Sequence, residues 1–130
     1  MISHENGRLG EDIAVEFYKA NGFNIIFRNF RAGHDEIDII AENKSSIVFS
    51  EVKTRTISPA LQKYGSAKSA VNKEKQRHLL KAALHYLKIN GNPEEKQPRM
   101  DVVEVYLTRD GKLSKLNYIR GAFGAGGGRR

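Results

Sequence analysis

Residues 36–54 read EIDIIAENKSSIVFSEVKT, and how this stretch folds decides the rest of the chain. Glu36–Glu42 and Ile47–Thr54 are rich in β-branched residues and each predicts a strand. Asn43–Ser46 between them has turn composition and the length of a hairpin loop. Strand side chains alternate between faces, so Glu51 and Lys53 project to the same side as Phe49. A hairpin turning within Asn43–Ser46 sets Asp38 opposite Glu51, with side chains about 5 Å apart. Two carboxylates at that spacing repel unless a proton or a cation lies between them. Mg²⁺, which takes one or two carboxylates and keeps several waters, suits such a pair. Lys53 is then placed to orient a water or to neutralise charge developing on a phosphate. A surface ion pair of Lys53 with Asp38 or Glu51 accounts for the same spacing, at small energetic value. Against it, the run IVFSEVK is otherwise apolar, and charge inside such a strand is expensive without a purpose.

Outward from the hairpin, Gly10–Ala20 predicts a first helix, with Leu9, Ile13, Phe17 and Ala20 on one face. Asn21-Gly22 supplies the left-handed stop. Phe23–Arg31 predicts a strand. Arg55–Val71 is polar and basic and predicts a long loop, of the kind that is often functional. Asn72 caps a second helix running to about Lys88, with Leu79, Leu80, Ala83, Tyr86 and Leu87 inward. Met100–Leu107 predicts a strand, Arg109-Asp110-Gly111 a turn, and Lys112–Ile119 a last strand. The order is α-β-β-β-α-β with one closing strand, in a single domain over residues 1–122. Residues 123–130, ending GAGGGRR, predict a disordered tail.

The 130 residues suffice for one domain with a proper core. With no cysteine, a disulfide scaffold, a thiol nucleophile and a cysteine zinc site are excluded. No apolar run approaches a membrane span and the first residues carry no signal-peptide core, so the expectation is a cytoplasmic protein. The 22 Lys and Arg against 15 Asp and Glu leave a net charge of +7, which favours an anionic partner. Lys53–Lys81 alone holds eight bases (Lys53, Arg55, Lys63, Lys68, Lys73, Lys75, Arg77, Lys81) and one acid, Glu74. The remainder balances, and acids cluster instead at Asp35, Glu36, Asp38 and Glu42. This separation points to nucleic-acid contact by the basic stretch that directly follows the acidic pair.

In order, GRLGEDIAVEFYKANGF, DEIDIIA, IVFSEVKTR, KEKQRHLLKAALHYL, RMDVVEVYL and YIRGAF resemble the blocks of the bacterial YraN-like family, across nearly all of residues 7–124. That family is similar to the PD-(D/E)xK nuclease superfamily and to archaeal Holliday-junction resolvases. The resemblance implies a restriction-endonuclease-like fold, a central mixed sheet flanked by helices, and a Mg²⁺-dependent phosphodiesterase site in which Mn²⁺ substitutes. It implies Asp38 and Glu51 as metal ligands with the Val52 carbonyl as a third. It also implies Lys53 as the water-activating or charge-stabilising group, Glu11 as the first-helix acid, and Gln76 as an auxiliary polar residue. Glu11 lies off the Leu9/Ile13/Phe17 stripe, and a solvated acid at a helix start is the other reading of it. One departure is Asp35, which stands where the family carries Gly before the glutamate of its E-I-D block.

Other constellations carry less. His78 and His85 sit seven apart on the second helix without further ligands, and a core or surface role accounts for both. Asp101 reads as a partner of Arg99 or a backbone cap. There is no phosphate-cradling GxxxxGK[ST] loop and no Ser–His–Asp signature. The leading expectation is Mg²⁺-assisted hydrolysis of DNA phosphodiesters, branched or damaged DNA included, with Arg55, Lys63, Lys68, Lys73, Lys75 and Arg77 on the nucleic acid. The alternatives are a basic binding module that cuts nothing and a partner within a larger repair or uptake assembly. Resolvase-like symmetry makes a homodimer an expectation.

Overall fold

The computed structural model describes residues 4–57 and 72–123, with side chains from residue 7 onward. Seven elements follow one another: α1 (His4–Ala20), β1 (Asn24–Ala32), β2 (Asp35–Glu42), β3 (Ser46–Thr56), α2 (Lys73–Asn90), β4 (Gln97–Leu107) and β5 (Leu113–Phe123). The strands form one mixed sheet in the order β1-β2-β3-β4-β5. All neighbours are antiparallel except β3 and β4, which run parallel. A parallel pair cannot be joined by a tight turn, and the chain between β3 and β4 includes α2. The arrangement is a restriction-endonuclease-like core with one added strand.

Each helix covers one face of the sheet. Ala14, Val15 and Tyr18 of α1 pack with Ile39, Val48, Val103 and Val105, while Leu79, Ala82, Ala83 and Tyr86 of α2 pack with Ile37, Ile40, Phe49 and Met100. Burial on both faces explains why β3 and β4 read as continuous apolar runs instead of alternating. Two local devices fix α1. Gly10 approaches β3 so closely that an added Cβ would lie 1.9 Å from Thr54 Oγ1, leaving no room for a side chain. Further along, the Tyr18 hydroxyl sits between Ser50 Oγ at 2.8 Å and Asp101 Oδ2 at 3.0 Å. Asp101 is buried and also accepts from Tyr118 OH, the Gly121 N–H and the Arg99 guanidinium. It is therefore the Arg99 partner that its sequence position suggested, and it ties α1, β4 and β5 together.

The boundaries depart from expectation for physical reasons. α1 begins at His4, well before Gly10, because its first turns carry no apolar stripe for periodicity to detect. Its end matches: Gly22, with φ of 88°, provides the left-handed turn. α2 begins as expected, with Asn72 Oδ1 accepting the Lys75 N–H at 2.8 Å. Arg55 and Thr56 belong to β3, not to a loop, because β4 offers Tyr106 and Leu107 as parallel partners. β4 begins at Gln97 and β5 continues to Phe123, which pairs with Met100 and packs on the α2-side core. Phe123 is thus within a strand, one residue beyond the expected domain end. The expected loop over 58–71, with Lys63 and Lys68, and the tail over 124–130 lie outside the described residues.

Candidate functional site

The β2–β3 ladder runs Glu42↔Ile47, Ala41↔Val48, Ile40↔Phe49 and Ile39↔Ser50, and stops there. Continuing this register would set Asp38 against Glu51, but the two strands diverge before reaching that pair. In place of a ladder bond, Asp38 Oδ2 accepts the Val52 N–H at 2.7 Å. The split is visible in the packing too. Ile39 belongs to the α1-side core, yet Ile37 and Ile40 both belong to the α2-side core, so strict alternation breaks at Asp38. The expected hairpin register is correct, and the expected cross-strand pair becomes a gap between two strands.

A cleft of about 840 Å³ opens at this gap, lined by Glu11, Arg28, Asp38, Glu51, Val52 and Lys75 among others. Burial pushes the Asp38 carboxyl up, to about 8, with the Glu51 charge as the next cause and the Val52 N–H opposing. Glu51 is 6% exposed. Two ammonium groups compensate it: Lys53 Nζ at 3.5 Å and Lys75 Nζ at 3.8 Å from its Oε2. The α2 cap is what presents Lys75 here. Lys53 and Glu51 share a face as the strand period requires, with Lys53 reaching the cleft through Glu51 and not lining it.

Glu11 lines the cleft from α1. Its carboxyl is raised by burial and by Glu36, against an Asn29 hydrogen bond and Arg28, whose Nη2 lies 3.6 Å away. Arg28 also pairs with Asp12 at 2.8 Å. Asn29 has φ of 57° inside β1, a conformation that Asn tolerates better than most residues. Arg28, Asn29, Asp12 and Thr54 line this cleft without having been singled out from the sequence, and Glu36, noted there only as part of the acidic cluster, lines it too. The available signal was a polar pair, Arg28-Asn29, interrupting the β-forming run Asn24–Phe30.

Other expected residues fall elsewhere. Gln76 does not line the cleft. Arg55 lies near Tyr106, whose hydroxyl it influences electrostatically. Lys73 and Arg77 are exposed on α2. Beside Lys53 in the parallel register stands Glu104, fully buried, with Oε1 accepting from Asn117 at 2.9 Å. Its Oε2 has no hydrogen-bond partner among the described residues. A charge inside the run DVVEVYL was its only mark in the sequence.

Among the described residues no group of three or more His, Asp or Glu side chains is gathered closely enough to hold a metal ion unaided. The donor set nevertheless fits Mg²⁺, which needs one or two carboxylates and retains water. Asp38 and Glu51 face an open cleft, and the elevation of Asp38 includes the repulsion a cation would relieve. No described helix is long and apolar enough to cross a membrane.

Comparison with known proteins adds the family. Residues 10–105 match the Uncharacterised protein family UPF0102. A UPF0102 protein of Caldicellulosiruptor bescii is 38% identical over 117 residues, covering 90% of this chain and 95% of its own. One of Symbiobacterium thermophilum is 42% identical over 124 residues, covering 95% of this chain and all of its own. Among solved structures, Pyrococcus furiosus SfsA in complex with Ca²⁺ aligns with 88% of this chain and 62% of its own, at 15% identity and a TM-score of 0.35. Matched over most of its length and at about 40% identity to several bacterial members, the chain belongs to the UPF0102, or YraN-like, family.

Proposed function

We propose that this protein is a Mg²⁺-dependent endonuclease that hydrolyses DNA phosphodiesters, with branched or damaged DNA as the substrate class. The observation that carries this reading is the strand split. There Asp38 and Glu51 face one open cleft, with the Lys53 and Lys75 ammonium groups held against Glu51. In the reaction a water adds to phosphorus, one P–O bond to a sugar oxygen breaks, and that oxygen leaves with a proton. Asp38 and Glu51 would hold the cation, whose charge offsets that of the phosphate. The Val52 N–H fixes the Asp38 carboxylate through Oδ2. Lys53 supplies positive charge against the negative charge that develops on the phosphoryl oxygens. Lys75 and the other α2 bases bind the backbone of the nucleic acid. Glu11, braced by Arg28, positions water from the α1 side.

A second reading has its own observation: both ammonium groups already compensate Glu51, and among the described residues no third acid is close enough to complete a metal site unaided. In that reading the chain binds DNA and cuts nothing. One assay separates the two. Duplex, single-stranded, flap and four-way-junction DNAs are incubated with protein in Mg²⁺ or Mn²⁺, with and without chelator. Cleavage that requires metal and disappears in Asp38→Asn and Glu51→Gln supports the enzyme. Binding without cleavage in either metal leaves the module.

A further inference from the structure

A second cleft, of about 550 Å³, is lined by His34, Asp35, His78, Lys81, His85 and Lys88 with their neighbours. Two elements, β2 and α2, contribute residues to both clefts. Adjacent residues of β2 divide between them, Glu36 lining the first and Asp35 the second. On α2, Lys75 lines the first and His78 stands one turn further on in the second. From His78 the bases recur at 81, 85 and 88, the three- and four-residue spacing that keeps side chains along one side of a helix. Some of the surface bases are already paired with acids. Lys19, Lys53, Lys75 and Lys96 each lie within ion-pair distance of a carboxylate. Among the described residues Lys81 and Lys88 have no such partner. Asp35, the acid that lines this cleft, engages His78 at 2.6 Å, and Glu74 engages it at 3.8 Å from the preceding turn of α2.

We propose that this row is a phosphate track. One strand of the nucleic acid leaves the Asp38/Glu51 cleft at Lys75 and follows α2 past His78 to Lys81, His85 and Lys88. The proposal rests on the nucleic-acid reading above and adds the path and its direction. Lys75 to Lys88 spans about 20 Å at 1.5 Å per helical residue, or about six base pairs of duplex at 3.4 Å per pair. Lys81 thus contacts phosphate together with Lys75, whereas His85 and Lys88, outside the basic stretch Lys53–Lys81, extend the surface beyond it.

Binding is measured in chelator, so that cleavage plays no role, with a labelled duplex and with a four-way junction across a salt series. Lys81→Ala/Lys88→Ala is compared with Lys19→Ala/Lys115→Ala, an equal loss of charge at exposed sites on α1 and β5. The track pair should flatten the slope of log K against log salt by about 1.8, at roughly 0.9 per contact, and the control pair should leave it unchanged. Equal slopes for the two pairs overturn the track while leaving the Asp38/Glu51 reading to its own cleavage assay. Failure of the wild type to bind at low salt overturns both. Because the chain lacks cysteine, Lys75→Cys and Lys88→Cys each carry a photocrosslinker at one position. Their crosslinks should map about six base pairs apart along one strand. Crosslinks at the same nucleotides, or none from position 88, also overturn the track.

Discussion

At the scale of the residue, Asp38 carries the most consequential perturbation. Its folded pKa, about 8, lies above the ordinary carboxylate value of 3.8 because burial and the Glu51 charge disfavour ionisation. For an acid raised on folding, the associated stability is full at low pH and is lost as pH climbs through the folded pKa. The metal-free protein should therefore lose melting temperature between about pH 4 and pH 8. Asp38→Asn should flatten that decline and raise stability near neutral pH, since it removes one of two crowded charges. Parallel melting profiles for wild type and mutant would show that Asp38 ionises freely. A cation favours the ionised form, so Mg²⁺ or Mn²⁺ should raise the melting temperature of wild type and expel about one proton near pH 7. Titration calorimetry in buffers of different ionisation enthalpy reads that proton, and Asp38→Asn should abolish it. Lys53 has a different signature. Lys53→Ala should cut metal-dependent cleavage by ~10²–10³ while weakening DNA binding by no more than one phosphate contact. Lys53→Met, which keeps most of the stem, separates lost charge from lost packing. Equal losses in cleavage and affinity would make Lys53 a binding residue only.

At the scale of the element, α1 is fixed to the sheet at two points, and the two fail differently. Gly10→Ala forces a Cβ against Thr54, so α1 must shift away from β3. Overpacking of this kind costs about 1–3 kcal/mol. Because Glu11 follows directly and Thr54 lines the same cleft, cleavage should fall more than stability does. Urea denaturation alongside a cleavage assay tests this, and an unchanged midpoint would mean that the helix has slack. Asp101→Ala instead strands the Tyr18 and Tyr118 hydroxyls and the Arg99 guanidinium around an empty position. Removing one partner of a buried charge network costs about 3–5 kcal/mol. The Asp101 carboxylate also pushes Tyr118 up, after burial, to about 12. Asp101→Asn, which keeps the shape without the charge, should bring the Tyr118 titration down by ultraviolet absorbance. A Tyr118 titration that does not move would place its elevation on burial alone.

At the scale of the whole molecule, the net charge of +7 is a property of one region, not of the surface at large. If four of the bases on and before α2 reach phosphates, duplex binding should fall with salt at a slope near −3.6, from roughly −0.9 per contact. A flat salt response would leave the charge separation without a nucleic-acid role. The separation itself was legible from residue order, because charge is additive along the chain and needs no contacts to count. The element order was legible for a similar reason. Amphipathic spacing marked the apolar stretch of α1, Asn72 marked the start of α2, and the Asn43–Ser46 turn set the β2–β3 register that the ladder follows. Those signals are local. What lay beyond them needed partners from elsewhere: the polar first turns of α1, the length of β3 past Thr54, and the start of β4 at Gln97. The site divides the same way. Asp38, Glu51 and Lys53 could be brought together from the chain alone, since strand period and hairpin register are short-range geometry. That β2 and β3 separate just there, that Asp38 turns to the Val52 N–H, and that Arg28, Asn29, Glu11 and Lys75 converge on the opening was decided only by tertiary structure. The physical reason is that a helix packed on each face fixes where side chains from distant segments end up, and no local period encodes that distance.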